Sequence, residues 1–61
     1  MEHKILLVDD DRDLLEMLCS IFRRAGYTNL VTASSGVEAL QTWREQQPEL
    51  IVLDVMMPGM D

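Results

Sequence analysis

Two four-residue runs without a polar side chain, Ile5-Leu6-Leu7-Val8 and Leu50-Ile51-Val52-Leu53, each stop abruptly on an aspartate. No other feature constrains the fold as much. Such a run is not by itself distinguishable from a buried helix turn. Its shortness and its acidic stop predict a strand covered on both faces, as in a parallel sheet.

Between the runs the pattern changes period. Leu14, Leu18, Ile21 and Phe22, with Leu15 beside them, recur at helical spacing and predict a helix from roughly Asp11 to Ala25. Arg12, Asp13, Glu16, Ser20 and Arg23 take its other face. Acids at its start and arginines in its last turn suit the helix dipole. Gly26 is placed to stop it in a left-handed cap. Leu30-Val31-Thr32-Ala33 is a shorter, less apolar strand, expected at the sheet edge. Ser35-Gly36-Val37-Glu38 matches a capping box, and opens a helix to about Gln46 with Val37, Leu40 and Trp43 on one face. Pro48 ends that helix, and Met57-Pro58-Gly59 is a loop signal.

Alternating strands and helices imply right-handed parallel crossovers. The most apolar strands, first and third, should be neighbours, with the second outside the first. That gives order 2-1-3 and a switch point between strands 1 and 3. Ligands of open α/β sheets bind at strand carboxyl ends at such a point. Asp9, Asp10 and Asp54 all fall there.

Size and charge narrow the function. A chain of 61 residues is one small domain at most, and about 60 residues bury only ~60% of their unfolded surface. Its single cysteine, Cys19, allows no internal disulfide and suits a reducing compartment. Five Lys and Arg against eleven Asp and Glu give a net charge of −6, which argues against nucleic-acid contact by this segment. The apolar runs are far short of a signal peptide core or of the ~20 residues of a membrane span, so a soluble, cytoplasmic chain is expected.

Three like charges at one sheet end are unfavourable unless a cation joins them. Oxygen-only ligands point to a hard ion, and few carboxylates plus waters suit Mg²⁺ or Mn²⁺. A carboxylate can also be the nucleophile, giving an aspartyl phosphate. Rival readings use the same residues. Asp9, Asp11 and Asp13 open like a calcium loop, but its sixth and twelfth positions hold Leu14 and Ser20 instead of glycine and glutamate. A dinucleotide site needs glycines where Asp9-Asp10-Asp11 stand. The plainest reading, aspartates capping the first helix, accounts for Asp10 or Asp11 but not for Asp54.

The chain resembles the receiver domain of two-component response regulators. K-I-L-L-V-D-D-D is similar to the family's opening strand. L-I-V-L-D-V-M-M-P-G-M-D resembles its phosphorylation strand and loop, and S-S-G-V-E-A-L its second helix. The resemblance covers the whole chain. It implies a flavodoxin-like α/β fold, here residues 1–61 as the N-terminal half, with the remaining elements and any output domain beyond it. It implies Asp54 as phosphoacceptor, Asp10 as direct Mg²⁺ ligand, Asp9 holding the metal mainly through water, and Met56 lending a backbone carbonyl. Pro58 would shape the following loop. The donor would be a phosphohistidine on a sensor histidine kinase, the chain being a regulatory module and not a turnover enzyme.

The Ser or Thr and the Lys with which the family binds phosphoryl oxygens have no counterpart before Asp61. Lys4, the only lysine, precedes Asp9 by about 16 Å of strand and belongs to the wrong end of the sheet, and Thr28, Thr32 and Thr42 lie on other elements. The 61 residues alone are therefore expected to be switch-incompetent. An alternative is a self-associating fragment without signalling activity, as a homodimer or higher oligomer; a pseudo-receiver that binds partners unphosphorylated fits the intact aspartates less well. The other residues read plainly: His3 as exposed, Cys19 as a buried inert thiol, Met56, Met57 and Met60 as loop packing beside hard-oxygen ligands, and Trp43 as helix packing.

Overall fold

The computed structural model describes residues 3–53. Its elements run β1 (Ile5–Val8), α1 (Arg12–Arg24), β2 (Leu30–Ala33), α2 (Gly36–Gln46) and β3 (Leu50–Leu53). The three strands form a parallel sheet of order β2-β1-β3, as the apolar runs predict. The Met57-Pro58-Gly59 loop signal lies outside the described residues.

Every residue of β1 is buried. Its side chains alternate between two cores, one on each sheet face. Leu6 and Val8 pack with Ala33 and Ala39, against α2. Ile5 and Leu7 pack with Leu15 and Cys19, against α1, with Leu18, Phe22, Leu30 and Val52 around them. Burial of such side chains contributes roughly 1.5–3 kcal/mol each, so a strand without polar residues is what this position demands.

The helix ends obey local chemistry. Asp11 caps α1, its Oδ1 accepting from the N–H groups of Asp13 (3.0 Å) and Leu14 (3.2 Å). At the other end Gly26 takes φ +101°. Its N–H donates to the Arg23 carbonyl and the Tyr27 N–H to the Phe22 carbonyl, both at 3.0 Å. This is a Schellman closure, and the Phe22 and Tyr27 rings complete it at 6.0 Å between centroids. The capping box of α2 is displaced by one residue. Ser35 Oγ accepts from the Glu38 N–H, but the Glu38 carboxylate accepts from the N–H of Ser34, not of Ser35.

Two sequence expectations about faces need correction. On α1 the buried seam is Leu15 and Cys19, flanked by Leu18 and Phe22, while Ile21 is exposed along with Met17. On α2 the residue against the sheet is Ala39, and Val37, Leu40 and Trp43 are exposed. A small residue lets the helix backbone approach the sheet, so the larger apolar side chains sit off the contact line. Trp43 is therefore no part of the packed core. Cys19 is buried, as its place between Leu15 and Phe22 suggests.

Candidate functional site

The three aspartates after β1 do three different things. Asp9 continues the strand, its N–H donating to the Ala33 carbonyl at 3.2 Å. Only 3% of it is exposed, and its Oδ1 accepts from the Asp11 N–H at 2.9 Å. Asp10 is exposed. Asp11 is the cap of α1. The capping reading thus holds for Asp11, and leaves Asp9 and Asp10 at the sheet's carboxyl end for other work.

That end lies between β1 and β3. Val8 is paired with Leu53, and the next residues in sequence are Asp9 and Asp54. Asp54 and Met56 lie outside the described residues, so of the predicted site the structure places Asp9 and Asp10. Among the described residues no three acidic, histidine or cysteine side chains group as a metal cage. The donors already in place are carboxylate oxygens, one buried and one exposed. That set fits a hard divalent cation. A groove between α1 and β2, lined by Arg12, Glu16, Arg23 and Thr32 among others, contains neither Asp9 nor Asp10.

The opposite end of the sheet holds a second polar group. His3 Nδ1 lies 2.8 Å from Glu49 Oε2, and Lys4 Nζ donates to Gln46 Oε1 at 2.9 Å. A carboxylate has no proton to give, so the imidazole N–H is the donor. The Glu49 N–H also donates to the Lys4 carbonyl at 2.8 Å. The hydrogen bond from His3 holds the Glu49 carboxyl below its ordinary value of 4.5. Lys4 is thus remote from the acidic end, as its position in the sequence implies. The contacts of His3 and Lys4 are not among the sequence expectations, yet a signal for them exists. Aligning Ile5-Leu6-Leu7-Val8 with Leu50-Ile51-Val52-Leu53 sets Lys4 beside Glu49.

A family model described as the response regulator receiver domain matches residues 5–61. The alkaline phosphatase synthesis transcriptional regulatory protein PhoP of Bacillus subtilis is 46% identical over all 61 residues, which make up 25% of that protein. The DNA-binding response regulator MtrA of Mycobacterium tuberculosis is 44% identical over the same 61 residues, 26% of its length. A probable transcriptional regulator, ycf27 of Pyropia yezoensis, is 45% identical over 60 residues, covering 98% of this chain and 24% of its own. The chain thus spans about a quarter of the length of the curated relatives it matches. With the parallel 2-1-3 sheet and its acidic carboxyl end, these matches establish that the chain belongs to the response regulator receiver domain family.

Proposed function

We propose that this chain is the phosphoryl-accepting portion of a cytoplasmic two-component signalling protein, with Asp54 as acceptor, a sensor histidine kinase as donor and Mg²⁺ or Mn²⁺ as cofactor. One observation carries the reading: Val8 and Leu53 are paired, and the residues that follow them in sequence are Asp9 and Asp54. Asp10, exposed, is the direct metal ligand. Asp9, whose Oδ1 is engaged by the Asp11 N–H, works mainly through water. Met56 contributes its backbone carbonyl, which frees its side chain to vary.

In the transfer, an Asp54 carboxylate oxygen bonds to phosphorus as the phosphorus–nitrogen bond of the donor phosphohistidine breaks. The bonding pair stays on the imidazole nitrogen. A divalent cation, when bound, neutralises charge on the transferring oxygens. The chain is consumed as acceptor and regenerated by hydrolysis, so it is a regulatory module. The 61 residues alone hold phosphate poorly, because their one lysine is at the far end of the sheet, tied to Gln46. Direct contact with nucleic acid or membrane is no part of this role.

Incubation with phosphoramidate and Mg²⁺, followed by intact mass and peptide mapping, tests the assignment. Phosphate should be confined to Asp54, in low yield, and absent from Asp54→Asn. Phosphate elsewhere, or equal yield in the variant, would overturn the acceptor; high yield would overturn the switch-incompetence.

A second reading, self-association, rests on β3. Leu50, Ile51 and Leu53 are all exposed, and an apolar strand edge is a template for another chain. A two-fold pairing of β3 with its copy would give order 2-1-3-3′-1′-2′, with the two acidic ends at opposite sides of the sheet. Leu50→Lys should lower the mass in sedimentation across a dilution series. A monomer at every concentration removes this reading.

A further inference from the structure

The bond from the Asp11 N–H to Asp9 Oδ1, 2.9 Å long, does more than satisfy a buried carboxylate. It joins a side chain to the backbone two residues on and closes an Asx turn, with Asp10 as the central residue. Asp9 enters that turn already fixed, since it is buried and its N–H is bonded to the Ala33 carbonyl at 3.2 Å. Asp11 is fixed where the turn ends. Its Oδ1 accepts from the Asp13 and Leu14 N–H groups, and its carbonyl accepts from the Leu15 N–H at 3.0 Å. Leu15 is itself packed with Ile5 and Leu7 of β1. A series of short contacts therefore runs from the core, through Asp11, to one oxygen of Asp9.

The two neighbours of Asp11 are both constrained by this arrangement. The Asp9 carboxylate cannot rotate without breaking the bond to the Asp11 N–H, and its Oδ2 meets no donor among the described residues. One oxygen is thus held and the other is left to a ligand. Asp10 is exposed, but its backbone is bracketed on both sides, so its side chain leaves the turn from a fixed point. Asp11 is withheld from a cation. Its Oδ1 is engaged by two helix N–H groups, and the helix N-terminus offsets its charge. The third aspartate adds rigidity to the site without competing for the ion.

We propose that Asp11 is a positioning residue of the cation site, setting Asp9 and Asp10 for a hard divalent ion that it does not itself touch. The inference rests on the proposed assignment of Asp9 and Asp10 as carboxylates of that site. Groups that orient metal ligands change affinity by roughly 10–100-fold. Asp11 acts through a neutral N–H donor, which places it near the lower end, about tenfold. Such coupling is reciprocal: if the cap strengthens ion binding, the ion strengthens the cap by the same factor.

The test is a Mn²⁺ titration of the 61-residue chain and its variants, read from broadening of the Asp9 and Asp10 amide resonances, with the folded fraction of each measured by circular dichroism. Two neutral variants separate capping from charge. Asp11→Asn keeps a capping oxygen and Asp11→Ala does not. The alanine variant should bind about tenfold more weakly than the asparagine variant. Ser35→Ala removes the corresponding cap of α2, a lesion of similar size, and should leave affinity per folded molecule unchanged. Equal affinity in the asparagine and alanine variants overturns the positioning role. Equal weakening by Ser35→Ala does so too, because general loss of stability would then account for the effect. If Asp11→Ala does not fold, hydrogen exchange of the unsubstituted chain decides. Saturating Mg²⁺ should slow exchange of the Asp11, Asp13 and Leu14 amides by about tenfold relative to the Glu38 amide, which is bonded to the other cap. Uniform slowing, or none, overturns the role. Absence of Mn²⁺ broadening in the unsubstituted chain would instead overturn the site assignment, and the inference with it.

Discussion

β1 and β3 have nearly the same composition and opposite surroundings. In β1, Ile5, Leu6, Leu7 and Val8 are 2%, 0%, 0% and 2% exposed; in β3, Leu50, Ile51 and Leu53 are 51%, 43% and 42% exposed. Both read identically as sequence. What separates them is place: β1 has a strand on either side and a helix on each face, whereas β3, among the described residues, is paired with β1 alone. Apolar composition therefore reports what a strand can bury, not what it does bury among the described residues. The difference also divides the labour. β1 holds the fold together and leads into Asp9 and Asp10, while β3 leaves an apolar edge unpaired among the described residues.

The largest break in this comparison is a truncation in each strand. Leu7→Ala should cost about 3 kcal/mol, within the range for buried leucines, and Leu53→Ala under about 1 kcal/mol. At roughly 0.05–0.15 kcal/mol of stability per residue, the first change removes much of what a chain this short possesses. Urea unfolding followed by far-UV circular dichroism measures both. Equal losses would show that β3 is as covered as β1 in solution, which self-association would explain.

Next in size is the cap that joins β1 to its helix. Asp11→Ala removes the acceptor of the Asp13 and Leu14 N–H groups and should cost about 1 kcal/mol. Asp10→Ala should cost little, since Asp10 is exposed. A reversal of that order would move the cap from Asp11 to Asp10. On the β3 side the corresponding join is strained. Gln47 closes α2 at φ 48°, a left-handed conformation that favours glycine. Gln47→Gly should stabilise the chain by roughly 0.5 kcal/mol, seen as a raised urea midpoint.

The smallest effect is a titration. The His3 hydrogen bond lowers the Glu49 pKa below 4.5 in the folded chain. A depressed carboxyl stabilises the fold above its unfolded pKa, and that contribution is lost as pH falls through the folded value. Both groups are exposed, so the stability effect is slight. The side-chain carboxyl carbon of Glu49 should titrate below its usual range and return to it in His3→Ala. An unchanged midpoint would remove the bond from solution.

The order of elements, the sheet order and most boundaries were legible because β1, Gly26, Ser35 and Pro48 each act locally. The faces of the helices were less so. Leu14, Leu18 and Ile21 fit helical spacing as well as Leu15, Cys19 and Phe22 do, and only the sheet decides which seam is buried. Ala39 was invisible as a core residue because close approach, not side-chain size, put it there. At the candidate site, the strand ends predicted where Asp9 and Asp10 would lie, but not that Asp9 would be buried and bonded to the Asp11 N–H. The Lys4 and Glu49 pairing is legible only once the two apolar runs are aligned end to end, each stopping on its aspartate.

The central claim, that the carboxyl ends of β1 and β3 build one cation and phosphoacceptor site, is tested most directly by Mn²⁺ broadening of amide resonances. The account predicts selective broadening at Asp9, Asp10 and Asp54, reversed by excess Mg²⁺ and abolished by Asp10→Asn together with Asp54→Asn. Broadening centred instead on Glu16 and Glu38, or unchanged by the two substitutions, would contradict it.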